Sequence, residues 1–317
     1  MDHYQRQKLL VQVAKLYYEQ NCSQEEISKL LKLSRPYISK LLNAARQEGI
    51  VQIQIVDSFN TETKLEKLFR ERFQLEKAII LPRGRDGNAL KQVGEAAARY
   101  LNEILEDGMV IGTSWGGTLY ECSNFLVQRK DMSNIVYIQL CGGISNINKT
   151  VYAAEIANNF AEALGGTAYL MQVPAVVENK EIKSLFWKDR SMAQIIEYGK
   201  KIDIAIFTAG TFGEKNALVK AGYLEKERMK SLEKKGAVGD ICSHVIDFNG
   251  KICDQELDER TLAISLETMK KARYRIAVAQ GESKVASLCG ALNGKLMNVL
   301  VTNEETAQSI WDRFEKR

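Results

Sequence analysis

The 317-residue sequence predicts an α/β protein that combines a small N-terminal winged helix-turn-helix domain with a larger, doubly wound α/β domain. Three observations predict this fold. Residues 23–46 show two short amphipathic helices joined by a tight turn, and residues 51–55 alternate apolar and polar side chains. From Ala78 onward, short apolar runs alternate with glycine-containing loops and amphipathic helices. A chain of this length also exceeds what one compact core normally supports.

The two N-terminal helices are predicted from their caps. Ser23 followed three residues later by Glu26 forms a capping box, in which the two side chains satisfy free backbone amides of the first turn. The second helix starts at Ser34, and Pro36 is tolerated because amides of the first turn have no partner within the helix. Gly49 can end this helix.

The second of these helices has an apolar side and a polar, basic side. Ile38, Leu41, Leu42 and Ala45 are spaced to form one buried face. The opposite side carries residue types that a recognition helix uses on base edges and phosphates, and the predicted DNA-contacting residues are Ser34, Arg35, Tyr37, Ser39, Lys40 and Asn43. The alternative is a solvated helical hairpin without a nucleic-acid partner.

Charge supports DNA binding only mildly. Residues 1–55 contain eight Lys and Arg against five Asp and Glu, so one such domain would hold the phosphate backbone weakly and in a salt-dependent way. A symmetric oligomer would be needed for useful affinity. The net charge of +4 for the whole chain excludes a strongly basic nucleic-acid coat protein.

Composition narrows the class further. Six cysteines without a C-x-x-C pair, with only His3 and His244 as histidines, give no metal-ligand cluster by spacing, so we expect neither a metal nor another cofactor. No apolar stretch approaches the ~20 residues of a membrane span. The N-terminus lacks the apolar segment of a signal peptide. These features predict a cytoplasmic protein with reduced thiols and no membrane contact.

Domain boundaries follow from these patterns. The predicted helix-turn-helix domain covers residues 1–56, with a supporting helix over 4–20. A linker helix is assigned to residues 57–77, because the charged segment 61–73 has one apolar side; this helix could also form a dimer contact. Residues 78–317 form the larger domain.

Six apolar runs of the larger domain are candidate strands, and helical stretches lie between most of them. This alternation predicts a parallel sheet covered on both faces, with ligands bound beyond the carboxyl ends of the strands. The candidate strands are residues 109–112, 135–140, 168–173, 202–208, 275–279 and 298–302.

Three loops follow the predicted strands with small or polar residues, at 112–118, 141–145 and 281–284. Backbone amides exposed by glycines at a helix N-terminus form an anion site, which suits a phosphate. Lys284 would add a positive charge, and Asp240 could accept from sugar hydroxyls. The alternative is that these glycines only close strand-to-helix turns, since no loop matches G-x-G-x-x-G or the Walker pattern.

One set of motifs runs along nearly the whole chain, at residues 16–18, 34–42, 112–118, 139–144, 236–241 with Asp247 and Gly250, and 281–284. In these motifs the chain resembles the SorC family of bacterial sugar-binding transcriptional regulators. The resemblance implies an effector domain similar to sugar-phosphate isomerases and glucosamine-phosphate deaminases, tetramers on operator DNA, and control by a bound phosphorylated sugar, here called the effector.

The resemblance also implies which residues bind the effector. They are Ser114, Gly116, Gly117 and Thr118 as a phosphate loop, the segment Cys141, Gly142 and Gly143, and the two charged residues Asp240 and Lys284. One position departs from a family member in which a lysine able to form an imine precedes the glycine pair. A thiol at Cys141 cannot form that Schiff base, so a sugar phosphate held without a covalent bond is expected.

The sequence therefore predicts a transcriptional repressor, with activation as the open alternative. Its predicted partners are double-stranded operator DNA, a phosphorylated sugar and further copies of the chain as a dimer or tetramer. One rival is a sugar-phosphate isomerase or deaminase, which needs positioned acid–base groups, whereas His244 is the only histidine of the larger domain. Another rival is an interaction scaffold that binds no ligand. Trp115 is either a core aromatic or a platform for a sugar ring.

Overall fold

The computed structural model describes residues 3–20, 22–51, 62–83, 88–144, 152–214 and 216–316. The chain divides into two compact units, Met1–Thr61 and Glu62–Arg317, which we call the small unit and the large unit.

The small unit contains the three predicted helices, α1 (His3–Tyr18), α2 (Gln24–Leu31) and α3 (Arg35–Gln47). The predicted capping box is confirmed, since the Glu26 amide donates to the Ser23 hydroxyl and the Ser23 amide donates to the Glu26 carboxylate. These two hydrogen bonds therefore fix where α2 begins.

The apolar faces of the three helices pack into one core. The predicted buried face of α3 is confirmed, and residues of α1 and α2 complete the cluster, whose members include Leu10, Val13, Ile27, Ile38, Leu41, Leu42 and Ala45. The strand predicted over residues 51–55 lies outside the described residues from position 52 onward.

Helix α4 (Lys64–Phe73), which corresponds to the predicted linker helix, packs as part of the large unit. A Thr63–Glu66 capping box begins it, and the Glu66 carboxylate also accepts from the backbone amide of Ile80 at 2.8 Å. Phe69 is fully buried, with its ring 5.9 Å from that of Trp311. The apolar side that suggested a linker is therefore a core contact.

In the described part of the large unit, ten strands form two sheets. They are β1 (Lys77–Leu81), β2 (Val110–Thr113), β3 (Val136–Gln139), β4 (Thr167–Tyr169), β5 (Ile204–Phe207), β6 (Ala209–Thr211), β7 (Ala237–Ile241), β8 (His244–Asp247), β9 (Tyr274–Val278) and β10 (Val299–Asn303). The main sheet is parallel with the order β1-β10-β9-β5-β2-β3-β4, and β6-β7-β8 form a separate antiparallel sheet.

Eleven further helices lie within the described large unit. They are α5 (Ala89–Ile104), α6 (Gly117–Asn124), α7 (Ala153–Leu164), α8 (Lys180–Lys188), α9 (Arg190–Gly199), α10 (Ala217–Lys220), α11 (Lys226–Lys234), α12 (Gln255–Arg260), α13 (Leu266–Met269), α14 (Val285–Asn293) and α15 (Glu304–Glu315), with a 3₁₀ turn at Glu282–Lys284.

Both faces of the main sheet are covered, as the sequence predicts. Along β5, Ile204 and Ile206 belong to one buried cluster, whereas Ala205 and Phe207 belong to another on the opposite face. Successive side chains of a strand point to opposite faces, so this alternation means that each face has its own core.

The six predicted strands correspond to β2, β3, β4, β5, β9 and β10, although β4 is shorter than predicted. It ends at Tyr169, because the following residues turn toward the segment after β3, where the Gly143 amide donates to the Val173 carbonyl at 2.8 Å. The prediction missed β1 and the antiparallel sheet. The turn between β7 and β8 is Cys242-Ser243, which lacks the Asn-Gly pattern that identifies a hairpin from sequence.

Phe69 anchors α4 to the large unit, so replacing Phe69 with Ala should lower the free energy of unfolding of that unit by about 3–5 kcal/mol. The matched control is Leu68→Ala on the same helix, which should cost about 0.5 kcal/mol or less because Leu68 is 45% exposed. Urea unfolding followed by circular dichroism measures both. Equal losses for the two variants would contradict the anchoring role.

Candidate functional site

A cavity of about 170 Å³ lies in the large unit at the carboxyl ends of the central strands. In the main sheet, β3 and β4 follow β2 toward one edge, whereas β5, β9 and β10 follow one another toward the other edge. The direction in which strands are added therefore reverses between the paired strands β2 and β5. Parallel sheets bind ligands in the crevice that forms at such a switch point. Ser114 follows β2 and Thr208 follows β5, and both line the cavity.

Seven of the nine predicted effector residues line this cavity together. They are Ser114, Gly116, Gly117, Thr118, Cys141, Asp240 and Lys284. The sequence places them in four separate segments, after β2, after β3, in β7, and in the turn after β9. The fold therefore assembles the residues that the sequence could identify only one loop at a time.

The predicted phosphate loop borders the cavity with the start of α6. Gly116 is the N-cap of this helix and has φ +128°, a conformation that residues with a Cβ rarely adopt. The amides of the first turn have no partner within the helix, and the helix dipole makes this end positive. The loop therefore has the backbone chemistry of an anion site.

The remaining predicted pair, Gly142 and Gly143, is outside the lining of this cavity. The Gly142 amide donates to the carbonyl of Leu262 at 2.8 Å, and a Cβ on Gly142 would lie 2.4 Å from the carbonyl oxygen of Pro174. Gly143 pairs with Pro174 and borders a neighbouring pocket. The contacts of these glycines hold neighbouring chain segments close together.

The carboxylate of Asp240 is the anionic group of the cavity. Its side chain is buried, and it accepts hydrogen bonds from the Asn216 amide group at 2.8 Å and from the Ser243 backbone amide at 3.3 Å. Gly210, opposite Asp240 in the β6–β7 pair, leaves the necessary room, since a Cβ there would lie 2.0 Å from Asp240 Oδ1. Asn216 and Gly210 were not predicted, because neither belongs to a recognisable motif.

Lys284 and Asp240 perturb each other through the cavity. Burial lowers the pKa of Lys284, and the negative charge of Asp240 partly opposes that shift. Burial raises the pKa of Asp240, and the hydrogen bond from Asn216 and the charge of Lys284 oppose it. A half-buried cation near a buried carboxylate is suited to a ligand that carries both a phosphate and hydroxyl groups.

Sequence reasoning missed three hydroxyl residues of the lining, Thr208, Thr211 and Ser243. The hydroxyl oxygens of Thr208 and Ser243 are buried without a hydrogen-bond partner in the described structure. Buried hydroxyls normally have partners, so these two are suited to hydrogen bonds with ligand hydroxyls. Thr208 could have been found as the polar residue that ends the predicted strand 202–208, whereas nothing in the sequence marks Ser243.

The turn that carries Ser243 into the cavity has an unusual backbone. Cys242 and Ser243 have φ values of +50° and +70°, in the left-handed region that favours glycine. Such conformations concentrate at functional sites, where the surrounding structure maintains them. The turn also positions Cys242 in the lining, beside Cys141.

His244 is buried, and both of its ring nitrogens have hydrogen-bond partners within the protein. Its Nδ1 lies 2.5 Å from the Asp258 carboxylate, and its Nε2 lies 3.1 Å from the Ile264 carbonyl oxygen. It is absent from the cavity lining, where Asp240 is the one carboxylate among the described residues. The histidine–carboxylate chemistry of a sugar-phosphate isomerase therefore has no counterpart in this lining.

Trp115 is both a core aromatic and a residue of the cavity lining. Its ring packs against the cores of the large unit, and its indole N–H donates to the Gly142 carbonyl at 3.0 Å. The residue also lines the cavity, so the side chain that holds the glycine segment in place is available to a ligand.

In the small unit, the predicted DNA-contacting residues lie together on α3 and at its N-cap. Ser39 is half-buried, and the other five are exposed. Ser34 is the N-cap residue, and its hydroxyl makes no capping hydrogen bond. The exposed set is Ser34, Arg35, Tyr37, Lys40 and Asn43.

The described residues contain neither a membrane-spanning helix nor a cluster of metal-ligating side chains. No described helix is both long enough and apolar enough to cross a bilayer. No group of three or more His, Cys, Asp or Glu side chains in that part of the chain is arranged to hold a metal ion.

Comparison with known proteins gives related sequences along almost the entire chain. A family model described as "Putative sugar-binding domain" matches residues 57–312. The deoxyribonucleoside regulator of Bacillus subtilis is 36% identical over 308 residues, which cover 96% of this chain and 98% of that protein. The sorbitol operon regulator of Klebsiella pneumoniae is 31% identical over 306 residues, covering 95% and 96%.

Solved structures agree with the sequence matches. The full-length sorbitol operon regulator SorC of Klebsiella pneumoniae superposes with a TM-score of 0.76 at 31% identity, covering 95% of this chain and 97% of that chain. A transcriptional regulator from Streptococcus pneumoniae superposes with a TM-score of 0.74 at 29% identity, covering 80% and 97%. The chain therefore belongs to the SorC family of bacterial sugar-binding transcriptional regulators.

Proposed function

We propose that the chain is a cytoplasmic regulator that binds operator DNA of a carbohydrate or nucleoside catabolic operon and responds to a phosphorylated sugar in the cavity of its large unit. The observation that carries the proposal is the joint placement of the α6 N-terminus, Lys284, Asp240 and two unpartnered hydroxyls around one cavity. An anion-binding helix end suits the phosphate, and the carboxylate and hydroxyls suit the sugar.

The nature of the relatives supports the operon class. Proteins similar to this chain are named for deoxyribonucleosides and for the sorbitol operon, which are nucleoside and carbohydrate classes. The effector of this chain is proposed to bind without a covalent bond, since a cysteine thiol at position 141 cannot form an imine. The proposal covers repression as well as activation, because either sign follows if the effector binds the two DNA-affinity states differently.

DNA binding is assigned to the small unit. We infer that its three helices, together with the wing predicted over residues 51–55, form a winged helix-turn-helix. Helix α3 would lie in the major groove, where exposed Arg35, Lys40 and Asn43 have the side chains that contact bases and phosphates. One copy has a modest positive charge, so we also propose a dimer or tetramer that joins several such contacts on one operator.

The central experiment is an electrophoretic mobility shift on the DNA upstream of the chain's own operon. Deoxyribose 5-phosphate, ribose 5-phosphate, glucose 6-phosphate and fructose 6-phosphate are added in turn, with the unphosphorylated sugars as controls. The expected result is a shifted complex whose midpoint moves with one phosphorylated sugar and not with its unphosphorylated form. If the protein forms no complex with duplex DNA of any sequence at low ionic strength, the proposal is refuted.

Arg35→Ala should weaken operator binding by about 1–3 kcal/mol, roughly 5- to 150-fold, because it removes a cation from the proposed recognition helix. Lys8→Ala on α1 is the matched control, since it removes the same charge from an exposed position outside α3. Fluorescence anisotropy with labelled operator measures both. If the two variants lose affinity equally, the contribution is general charge and not a contact of α3.

Lys284→Gln should weaken sugar-phosphate binding roughly 10- to 150-fold, which corresponds to the loss of about 1.5–3 kcal/mol from a hydrogen bond to a charged group. DNA binding in the absence of the sugar should stay unchanged. Lys295→Gln, on the same unit but outside the cavity lining, serves as the control. Isothermal titration calorimetry with the sugar phosphate identified above gives the affinities, and unchanged affinity in Lys284→Gln would exclude this residue from the site.

Effector affinity should also fall at alkaline pH. A phosphate dianion favours protonated Lys284, and burial lowers the pKa of this residue in the free protein below the ordinary 10.5. Affinity is therefore full below the lowered pKa and declines as the pH rises through it. Calorimetry between pH 7 and 10 measures the decline. The Lys284→Gln variant should lack it, and an equal decline in that variant would assign the effect to another group.

A further inference from the structure

Two cysteine side chains from distant parts of the sequence meet in the cavity lining. Cys141 follows β3 of the main sheet, whereas Cys242 lies in the turn between β7 and β8 of the antiparallel sheet. Both side chains line the same cavity and belong to the same buried cluster. The Cys141 thiol and the Ser114 hydroxyl are close enough to Cys242 to shift the pKa of its thiol. Both residues are free thiols, so the pair is a reduced dithiol that bridges two sheets.

The other four cysteines are placed differently. Cys122 and Cys289 are buried, Cys22 belongs to the small unit, and Cys253 is partly exposed; none of the four lines the cavity. A small molecule that enters the cavity would therefore contact the thiols of Cys141 and Cys242.

We propose that Cys141 and Cys242 form a redox-sensitive site that a peroxide oxidises to a disulfide, and that this disulfide lowers the affinity of the cavity for its effector. The second half rests on the proposed function, whereas the cross-link itself does not.

The chemistry needs only a peroxide as oxidant. One thiol loses its proton, and its sulfur attacks a peroxide oxygen; the O–O bond breaks, water leaves and a sulfenic acid forms. The second thiol then attacks the sulfenic sulfur, the S–S bond forms, and a second water leaves. Two thiols are oxidised, one hydrogen peroxide is reduced to two waters, and a dithiol reductant reverses the reaction.

The disulfide would disturb the groups that surround it. An S–S bond is about 2.05 Å long, far shorter than a contact between two thiols, so the Cys242–Ser243 turn must move toward Cys141. That turn carries the Ser243 hydroxyl into the cavity, and its Ser243 amide donates to the Asp240 carboxylate. Ser114, which lines the cavity with Cys242, precedes the start of α6. The cross-link therefore displaces both ends of the proposed sugar-phosphate site.

Protonation sets the rate of this reaction. The neighbouring Cys141 sulfur, which favours a protonated Cys242 as donor, and burial together raise the pKa of the Cys242 thiol well above its usual value. The thiolate is the reactive form, so oxidation should be slow at neutral pH and faster as the pH rises. A bound sugar phosphate would cover the pair and slow the reaction further. Reduced protein is then stable in ordinary conditions and responds to sustained peroxide exposure.

The experiment treats the purified full-length protein with hydrogen peroxide and then measures intact mass, non-reduced tryptic peptides and melting temperature. The expected product has lost two hydrogen atoms and contains a disulfide between the peptides of Cys141 and Cys242. The melting temperature is measured against the concentration of deoxyribose 5-phosphate, ribose 5-phosphate, glucose 6-phosphate or fructose 6-phosphate, which gives an apparent affinity. For the sugar phosphate that stabilises the reduced protein, this affinity should fall at least tenfold after oxidation. Dithiothreitol should restore it.

Variants make the assignment specific. Cys141→Ala and Cys242→Ala should each abolish the cross-link, and Cys253→Ala should retain it. The cross-link in the unmodified chain is read by peptide mapping, so the test stands even if one of the alanine variants fails to fold. Oxidation of Cys253 or Cys22 while Cys141 and Cys242 stay free would overturn the inference.

The two proposals can fail separately. A cross-link that leaves the response to the sugar phosphate unchanged would overturn the regulatory half of the inference while supporting the proposed function. If no sugar phosphate stabilises the reduced protein, the proposed function fails, and peptide mapping alone then decides whether the dithiol is a site of oxidation.

Discussion

The cavity depends on the close approach of β6 and β7 at Gly210 and Asp240. Any side chain at Gly210 would occupy the position of the Asp240 carboxylate, with a Cβ only 2.0 Å from Oδ1. The carboxylate is held by Asn216 and by the Ser243 amide, and its burial is balanced by the nearby charge of Lys284. A buried charge is costly in free energy unless it is hydrogen-bonded and lies near an opposite charge. Loss of any one of these contacts would therefore destabilise the buried carboxylate.

The main sheet supplies the other side of the cavity. Its order reverses between β2 and β5, and the strand ends there deliver Ser114 and Thr208, which are joined by a hydrogen bond from the Thr208 amide to the Ser114 hydroxyl at 3.4 Å. The antiparallel sheet adds Asp240 and the Cys242–Ser243 turn. A site assembled from two sheets changes shape when either sheet shifts, which is a property suited to a protein that reports a bound ligand.

A continuous set of contacts joins the cavity to α4, the first helix of the large unit. The Gly281 amide, beside the turn that carries Lys284, donates to the Thr306 hydroxyl of α15 at 2.7 Å. Further along α15, Phe314 packs on Phe73 of α4 with ring centroids 4.8 Å apart, and the Arg72 guanidinium lies 5.2 Å from the Trp311 ring. Packed side chains therefore extend from the cavity side of the large unit to its N-terminal helix.

The sequence by itself determined the elements whose signals are local. The Ser23–Glu26 cap, the buried face of α3 and six strands of the main sheet follow from hydrogen-bonding groups and side-chain periodicity within a few residues. It also singled out Asp240, Lys284 and the glycine-containing loop 112–118 as separate features. Only the tertiary structure decided that these features share one cavity, that Gly142 and Gly143 lie outside its lining, and that Cys242 and Ser243 belong to it. The reason is physical: these neighbours lie on separate strands, and their proximity comes from strand order and burial, which no local pattern encodes.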